Sequence, residues 1–181
     1  MKRILMITGV IALSMALLVG CAPGGTANEQ PADEQAAAEE SAADMQYAFE
    51  FKDLDGNTHK LSDYAGKPVY LKVWASWCTV CTRSLPETEE ASGSVEDYHY
   101  LTVISPDYQG EMPLEDFKAW YAELEYENIV VLVDENQQII KDFGVQAFPS
   151  QVFFDTEGNF AGGRIGLMSK EQIATEMEKL A

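Results

Sequence analysis

Two cysteines, Cys78 and Cys81, are separated by two residues at the end of an apolar run in the stretch L-K-V-W-A-S-W-C-T-V-C, residues 71–81. Val69, Tyr70, Leu71, Val73 and Trp74 read as a buried strand that delivers the pair into the start of a helix. A thiol at a helix N-terminus faces unpaired backbone N–H groups and the positive end of the peptide dipoles, which favour thiolate over thiol. The free-thiol pKa of about 8.5 then falls into the reactive range. Cys81, one helical turn further on, can reach Cys78 as a resolving thiol, so the pair can close into a small disulfide and reopen. The competing reading of C-x-x-C is half of a zinc site, which needs a second Cys or His pair at ligand spacing. Cys21, His59 and His99 stand apart in the sequence and supply none. Redox chemistry is therefore the expectation, and a permanently closed structural disulfide is the alternative that the spacing leaves open.

W-A-S-W-C-T-V-C, followed by Leu85-Pro86 and much later by Phe148-Pro149-Ser150, resembles the thioredoxin superfamily. Within it the chain is most similar to the TlpA/ResA-type membrane-anchored thiol-disulfide oxidoreductases, the redoxin domains, over about residues 47 to 181. The resemblance implies that Pro149 is cis and places the Phe148 carbonyl and N–H beside Cys78, to pair with an extended substrate segment. Trp77, Thr79 and Val80 would line the same surface, with Trp77 as a wall and Trp74 in the core. The working group would be the Cys78–Cys81 disulfide, with no other cofactor and no metal. Two positions depart from the family pattern. Lys72 replaces the buried acid six residues before the first cysteine, and Ser84 replaces the Glu that many TlpA-like proteins carry three residues after the second. By resemblance Lys72 points beneath the cysteines. There an ammonium would attract the Cys78 thiolate and make the protein more oxidising. A neutral amine accepting the Cys81 proton, a carboxylate partner, or escape to a rim are the other readings. Peroxiredoxins use Thr three residues before the reactive cysteine, where Ala75 stands, and redoxin-like copper chaperones use C-x-x-x-C.

The elements that must hold this site follow from hydrophobic period and breakers. Y-A-F-E-F from Tyr47, the turn D-L-D-G-N from Asp53 and a resumption at His59 predict an N-terminal β-hairpin. The helix after Cys81 is expected to continue past Pro86 with a kink and to end before Gly93, or to resume briefly through Val95 to Tyr98. Tyr100 to Ile104 is the next strand. Pro113 opens an amphipathic helix through Leu114, Phe117, Tyr121 and Leu124 to about Tyr126, and Ile129 to Val133 is a buried strand. These two resemble the central insertion of the TlpA-like group. Asp134 and Gln137 match a capping box for a short helix closed by Gly144, and Ser169 and Gln172 match one for the last helix. A hairpin about Thr156-Glu157-Gly158 lies between them. The fold class is α/β: a thioredoxin-like fold with a mixed central sheet flanked by helices.

Ahead of this domain, Lys2 and Arg3 precede an uncharged run from Ile4 to Gly20, which reads as a signal peptide over residues 1–20. It ends Leu18-Val19-Gly20-Cys21, similar to a bacterial lipobox in which Cys21 would be lipidated; an uncleaved anchor and ordinary signal cleavage are the other readings. Residues 21–46 are Ala- and Glu-rich and without Lys, Arg or aromatic residues, a tether rather than a folded unit. Twelve Lys and Arg against thirty Asp and Glu, a net charge of −18, argue against nucleic acid as a partner. The expectation is an extracytoplasmic, lipid-anchored, monomeric thiol-disulfide oxidoreductase acting on protein thiols and disulfides, such as those of methionine sulfoxide reductase or apocytochrome c. A CcdA/DsbD-type membrane protein would be its electron donor. The alternatives are an oxidase that installs disulfides and, from another class, a metal-binding redoxin-like chaperone.

Overall fold

The computed structural model describes residues 47–181. The expected signal peptide, Cys21 and the tether over residues 21–46 lie outside the described residues. The domain opens with the antiparallel hairpin of β1 (Glu50–Asp53) and β2 (Thr58–Lys60), followed by a short 3-10 helix at Leu61–Tyr64. The turn between the strands is held by the Asp53 carboxylate, which accepts from the backbone N–H groups of Asp55 and Asn57. β3 (Val69–Val73) then leads into two successive helices, α1 (Thr79–Arg83) and α2 (Leu85–Ser94), and back along β4 (His99–Ile104), parallel to β3. α3 (Leu114–Ala122) carries the chain to β5 (Val130–Val133), parallel to β4, and α4 (Gln138–Asp142) precedes the hairpin of β6 (Ser150–Phe154) and β7 (Phe160–Ile165). α5 (Lys170–Glu178) closes the chain.

The seven strands form one mixed sheet in the order β2-β1-β5-β4-β3-β6-β7. The predicted hairpins and the insertion strand are therefore present, with β5 slotted between β1 and β4. β3 is buried at every residue, as a strand covered on both faces must be. Its side chains alternate. Val69, Leu71 and Val73 join Phe49, Phe51, Leu101, Val103, Ile139 and Phe154 on one face. On the other, Tyr70 joins a cluster with Ala91, Tyr100, Ile173 and Met177, while Trp74, just past the strand, packs with Leu85, Ile104, Phe117 and Tyr121. Lys72 sits between these last two in register, on the face that supports the site.

Four local expectations need correction. The helix after the cysteines does not run through a kink at Pro86: α1 ends at Arg83, Ser84 breaks the chain, and Pro86 lies in the first turn of α2, where its missing N–H costs nothing. Gly93 does not stop α2. It lets the helix pass the Asn128 side chain, whose Cγ would stand 2.8 Å from an added Cβ, while Glu89 accepts from the Asn128 and Ile129 amides. The α3 helix ends at Ala122 rather than near Tyr126. At α4 there is no capping box on Gln137, which adopts φ 54 before the first turn. The buried Asp134 carboxylate itself accepts from the Gln138 and Ile139 N–H groups at 2.8 and 2.9 Å. The Ser169 and Gln172 capping box of α5 is present as expected.

Candidate active site

Cys78 and Cys81 are joined in a disulfide with Cα atoms 5.2 Å apart. Cys78 is the N-cap of α1, in extended conformation, and its Sγ accepts from the Cys81 backbone N–H at 3.2 Å. Because α1 has only five residues before the break at Ser84, the help this end gives a thiolate comes from that local amide more than from a long helix dipole. The two sulfurs differ in access. Cys78 retains 7% of its surface, whereas Cys81 is fully buried at 0% among Trp74, Leu85 and Phe117. An incoming sulfur can meet Cys78 and must wait for Cys81.

The loop before β6 completes the site from the other side. The Phe148–Pro149 peptide bond is cis, and the Phe148 carbonyl oxygen lies 3.6 Å from Cys78 Sγ. Pro149 is buried, and its carbonyl accepts from the Gly166 N–H at 2.8 Å, which ties the loop to the end of β7. Trp77 is half exposed and meets the Phe148 ring edge-on at 5.8 Å. Thr79 and Val80, between the cysteines, are exposed on the same surface. The structure thus gathers Cys78, Cys81, Trp77, Thr79, Val80, Phe148 and Pro149 into one place.

Lys72 is 1% exposed. Its ammonium donates to Ser84 Oγ at 2.9 Å and to Thr88 Oγ1 at 2.8 Å. Among the described residues no carboxylate oxygen comes within 4.0 Å of it. It neither escapes to a rim nor forms an ion pair. Burial pushes its pKa down to about 8, with the more distant Glu87 carboxylate acting in the opposite direction. The two hydroxyls pass the contact on: Ser84 Oγ donates to the Cys81 carbonyl at 2.8 Å and Thr88 Oγ1 to the Ser84 carbonyl at 2.9 Å. Lys72 therefore sits beneath the break between α1 and α2 and is linked through Ser84 to the Cys81 backbone carbonyl.

Sequence reasoning missed two groups. Thr88 carried no signal apart from helical spacing of four from Ser84. Glu111, in the loop before α3, is buried at 5% exposure and accepts from Ser76 N–H at 2.6 Å, Ser76 Oγ at 2.5 Å and Met112 N–H at 2.8 Å. It ties down the turn that carries Trp77 and Cys78, and nothing in its local sequence announces a link to residues thirty-five positions earlier. Replacing it with Ala leaves these donors unpaired in a partly buried turn. We expect Glu111→Ala to lose about 2 to 4 kcal/mol in urea denaturation of the oxidised protein. A loss under about 0.5 kcal/mol, the range of neutral surface changes, would show that the carboxylate is not holding the turn.

A family description, AhpC/TSA family, matches residues 42–161. The chain belongs to the AhpC/TSA family. It is 40% identical over 131 residues to an uncharacterized protein of Haemophilus influenzae, covering 72% of this chain and 84% of that one. It is 29% identical over 143 residues to the thiol-disulfide oxidoreductase ResA of Geobacillus thermodenitrificans, covering 73% of this chain and 74% of ResA. Among solved structures, the pneumococcal exposed lipoprotein thioredoxin Etrx1 of Streptococcus pneumoniae superposes with a TM-score of 0.71 at 44% identity, covering 74% of this chain and all of that chain. The family member described here is a thiol-disulfide oxidoreductase of thioredoxin-like fold.

Proposed function

We propose that the enzyme is an extracytoplasmic reductant, anchored through a lipid on Cys21, that passes electrons from a membrane donor of CcdA/DsbD type to oxidised sulfur in envelope proteins, such as methionine sulfoxide reductase or apocytochrome c. The observation that carries the exchange chemistry is the asymmetry of the pair: a reachable Cys78 against the Phe148 carbonyl, backed by a fully buried Cys81. Reduced Cys78 attacks a substrate disulfide as the thiolate, releasing one substrate thiolate and forming a mixed disulfide. Cys81 then attacks Cys78 Sγ and releases the second substrate sulfur. The substrate gains two electrons and the Cys78–Cys81 disulfide closes. Phe148 presents main-chain groups to an extended substrate, with Trp77, Thr79 and Val80 as the surrounding surface.

Support for the anchor is the sequence Leu18-Val19-Gly20-Cys21 together with the likeness to a protein described as an exposed lipoprotein. The full chain should partition into the detergent phase and take up a labelled fatty-acid analogue, and Cys21→Ala should lose both. Equal labelling of the two proteins would refute lipidation at Cys21. Direction is tested by mixing the reduced protein with an oxidised envelope protein and following thiols on both: net transfer of electrons to the substrate supports a reductant, and net oxidation of substrate thiols by the disulfide form supports an oxidase.

A further inference from the structure

Lys72 is a fully buried cation with hydroxyls, not a carboxylate, beside it. Such a charge is costly unless an anion meets it. The exchange cycle makes one anion at this end of the site, the thiolate of Cys81, which is itself cut off from water. Cys78 already has the Cys81 N–H on its sulfur and a path to solvent, whereas among the described residues no hydrogen bond reaches Cys81 Sγ. Ser84 stands between the two: its oxygen accepts from Lys72 and its proton is given to the Cys81 carbonyl. A cation polarising that hydroxyl strengthens its hold on the last turn of α1.

We propose that Lys72 is a positioning residue for the resolving step: acting through Ser84, its ammonium fixes the end of α1 and stabilises Cys81 as the thiolate that attacks the mixed disulfide. This deepens the exchange reading and rests on it. In the step, Cys81 gives up its proton, its thiolate attacks Cys78 Sγ, the Cys78–Cys81 bond forms, and the bond to the substrate sulfur breaks. The substrate sulfur leaves as a thiolate with the electron pair of the broken bond and takes up the proton. Lys72 stays an ammonium throughout. The other groups facing it are Glu87 and Thr88 on α2, Tyr100 on β4 and Lys170 on α5. Tyr100 is pushed up by burial and stays neutral, Glu87 is exposed and favours the charged lysine, and Lys170 is half-buried and paired with Glu90 at 3.4 Å. With a pKa of about 8, Lys72 is charged at neutral pH.

The test separates the two steps. Reduced protein is mixed with dithiobis(nitrobenzoate), whose coloured thiolate is released once when Cys78 attacks and again when Cys81 resolves, at a series of pH values. A rise of one unit in the Cys81 pKa cuts its thiolate about tenfold below that pKa. Lys72→Met is therefore expected to slow the second release about tenfold at pH 7 and move its midpoint to higher pH, with the first release within about twofold of wild type. Lys72→Arg, which keeps the charge, should recover part of the loss. Ser84→Ala, which keeps Lys72 and cuts the connection, should also slow the second release. Second-release profiles of Lys72→Met and Ser84→Ala that superimpose on wild type would overturn the assignment, as would equal slowing of both releases. Slowing in Lys72→Met alone would overturn the part given to Ser84. A wild-type protein that gave no second release would overturn the exchange reading itself, and this assignment with it.

Discussion

Cys81→Ser is expected to remain covalently joined to its substrates through Cys78, with turnover lower by about a thousandfold or more, because a serine hydroxyl cannot expel the second sulfur. The order of events follows from access. Cys78 keeps 7% of its surface beside the Trp77 and Phe148 rings, and Cys81 has no exposed area. Non-reducing capture from the cell envelope should recover adducts from Cys81→Ser and none from the Cys78→Ser, Cys81→Ser pair. Adducts from Cys78→Ser alone would reverse the two roles.

Lys72→Met should cost the oxidised protein little stability at pH 7 and much more at pH 10.5, an unusual profile for a change in a fully buried side chain. Burial holds the folded-state pKa at about 8, below the ordinary value of 10.5. Above that ordinary value lysine is neutral in both states and burial of the charge costs nothing. As pH falls from about 10.5 to 8 the unfolded chain binds the proton first, so stability declines, and below about 8 the whole penalty is present, on the order of 3 kcal/mol. Methionine removes that penalty but also the two hydrogen bonds from the ammonium to Ser84 and Thr88, worth about 1.5 kcal/mol or more each because the donor is charged. The net expectation is a stability close to wild type at pH 7 in urea titration, falling about 3 kcal/mol below wild type by pH 10.5 as the wild-type penalty disappears. A variant that is destabilised equally at both pH values would show that the lysine carries no buried-charge penalty.

The site was legible in the sequence where it depends on neighbours along the chain. An apolar run leading to W-C-T-V-C is a strand feeding a helix, and the resemblance to the family placed Lys72 beneath the cysteines, on the face of β3 opposite Val69, Leu71 and Val73. The capping residues of α5 and the two hairpins were legible for the same reason, since their hydrogen bonds close within a few residues. What escaped depends on pairs distant in sequence. The break at Ser84 looks like a helix interior until Lys72, twelve residues earlier, is seen to bind its hydroxyl. Pro86 was read as a kink when it marks a helix start, a position that the same residue also favours. Gly93 read as a stop because the Asn128 side chain that requires a glycine there arrives from the far side of β4. Glu111 was silent, since two of its three donors belong to Ser76, in a turn joined to it only by the fold. At α4 the acid was found and its partner was not: Asp134 caps two amides directly and leaves Gln137 out.

The reduction potential of the Cys78–Cys81 pair, obtained by equilibrating the protein against glutathione mixtures and counting free thiols by alkylation, tests the central claim most directly. A working reductant should show a reversible two-electron transition between about −270 and −200 mV, the range of thioredoxins and glutaredoxins. A value near −120 mV, as for a strong disulfide donor, would contradict the proposed direction, and a pair that stays closed below about −300 mV would contradict exchange as its function.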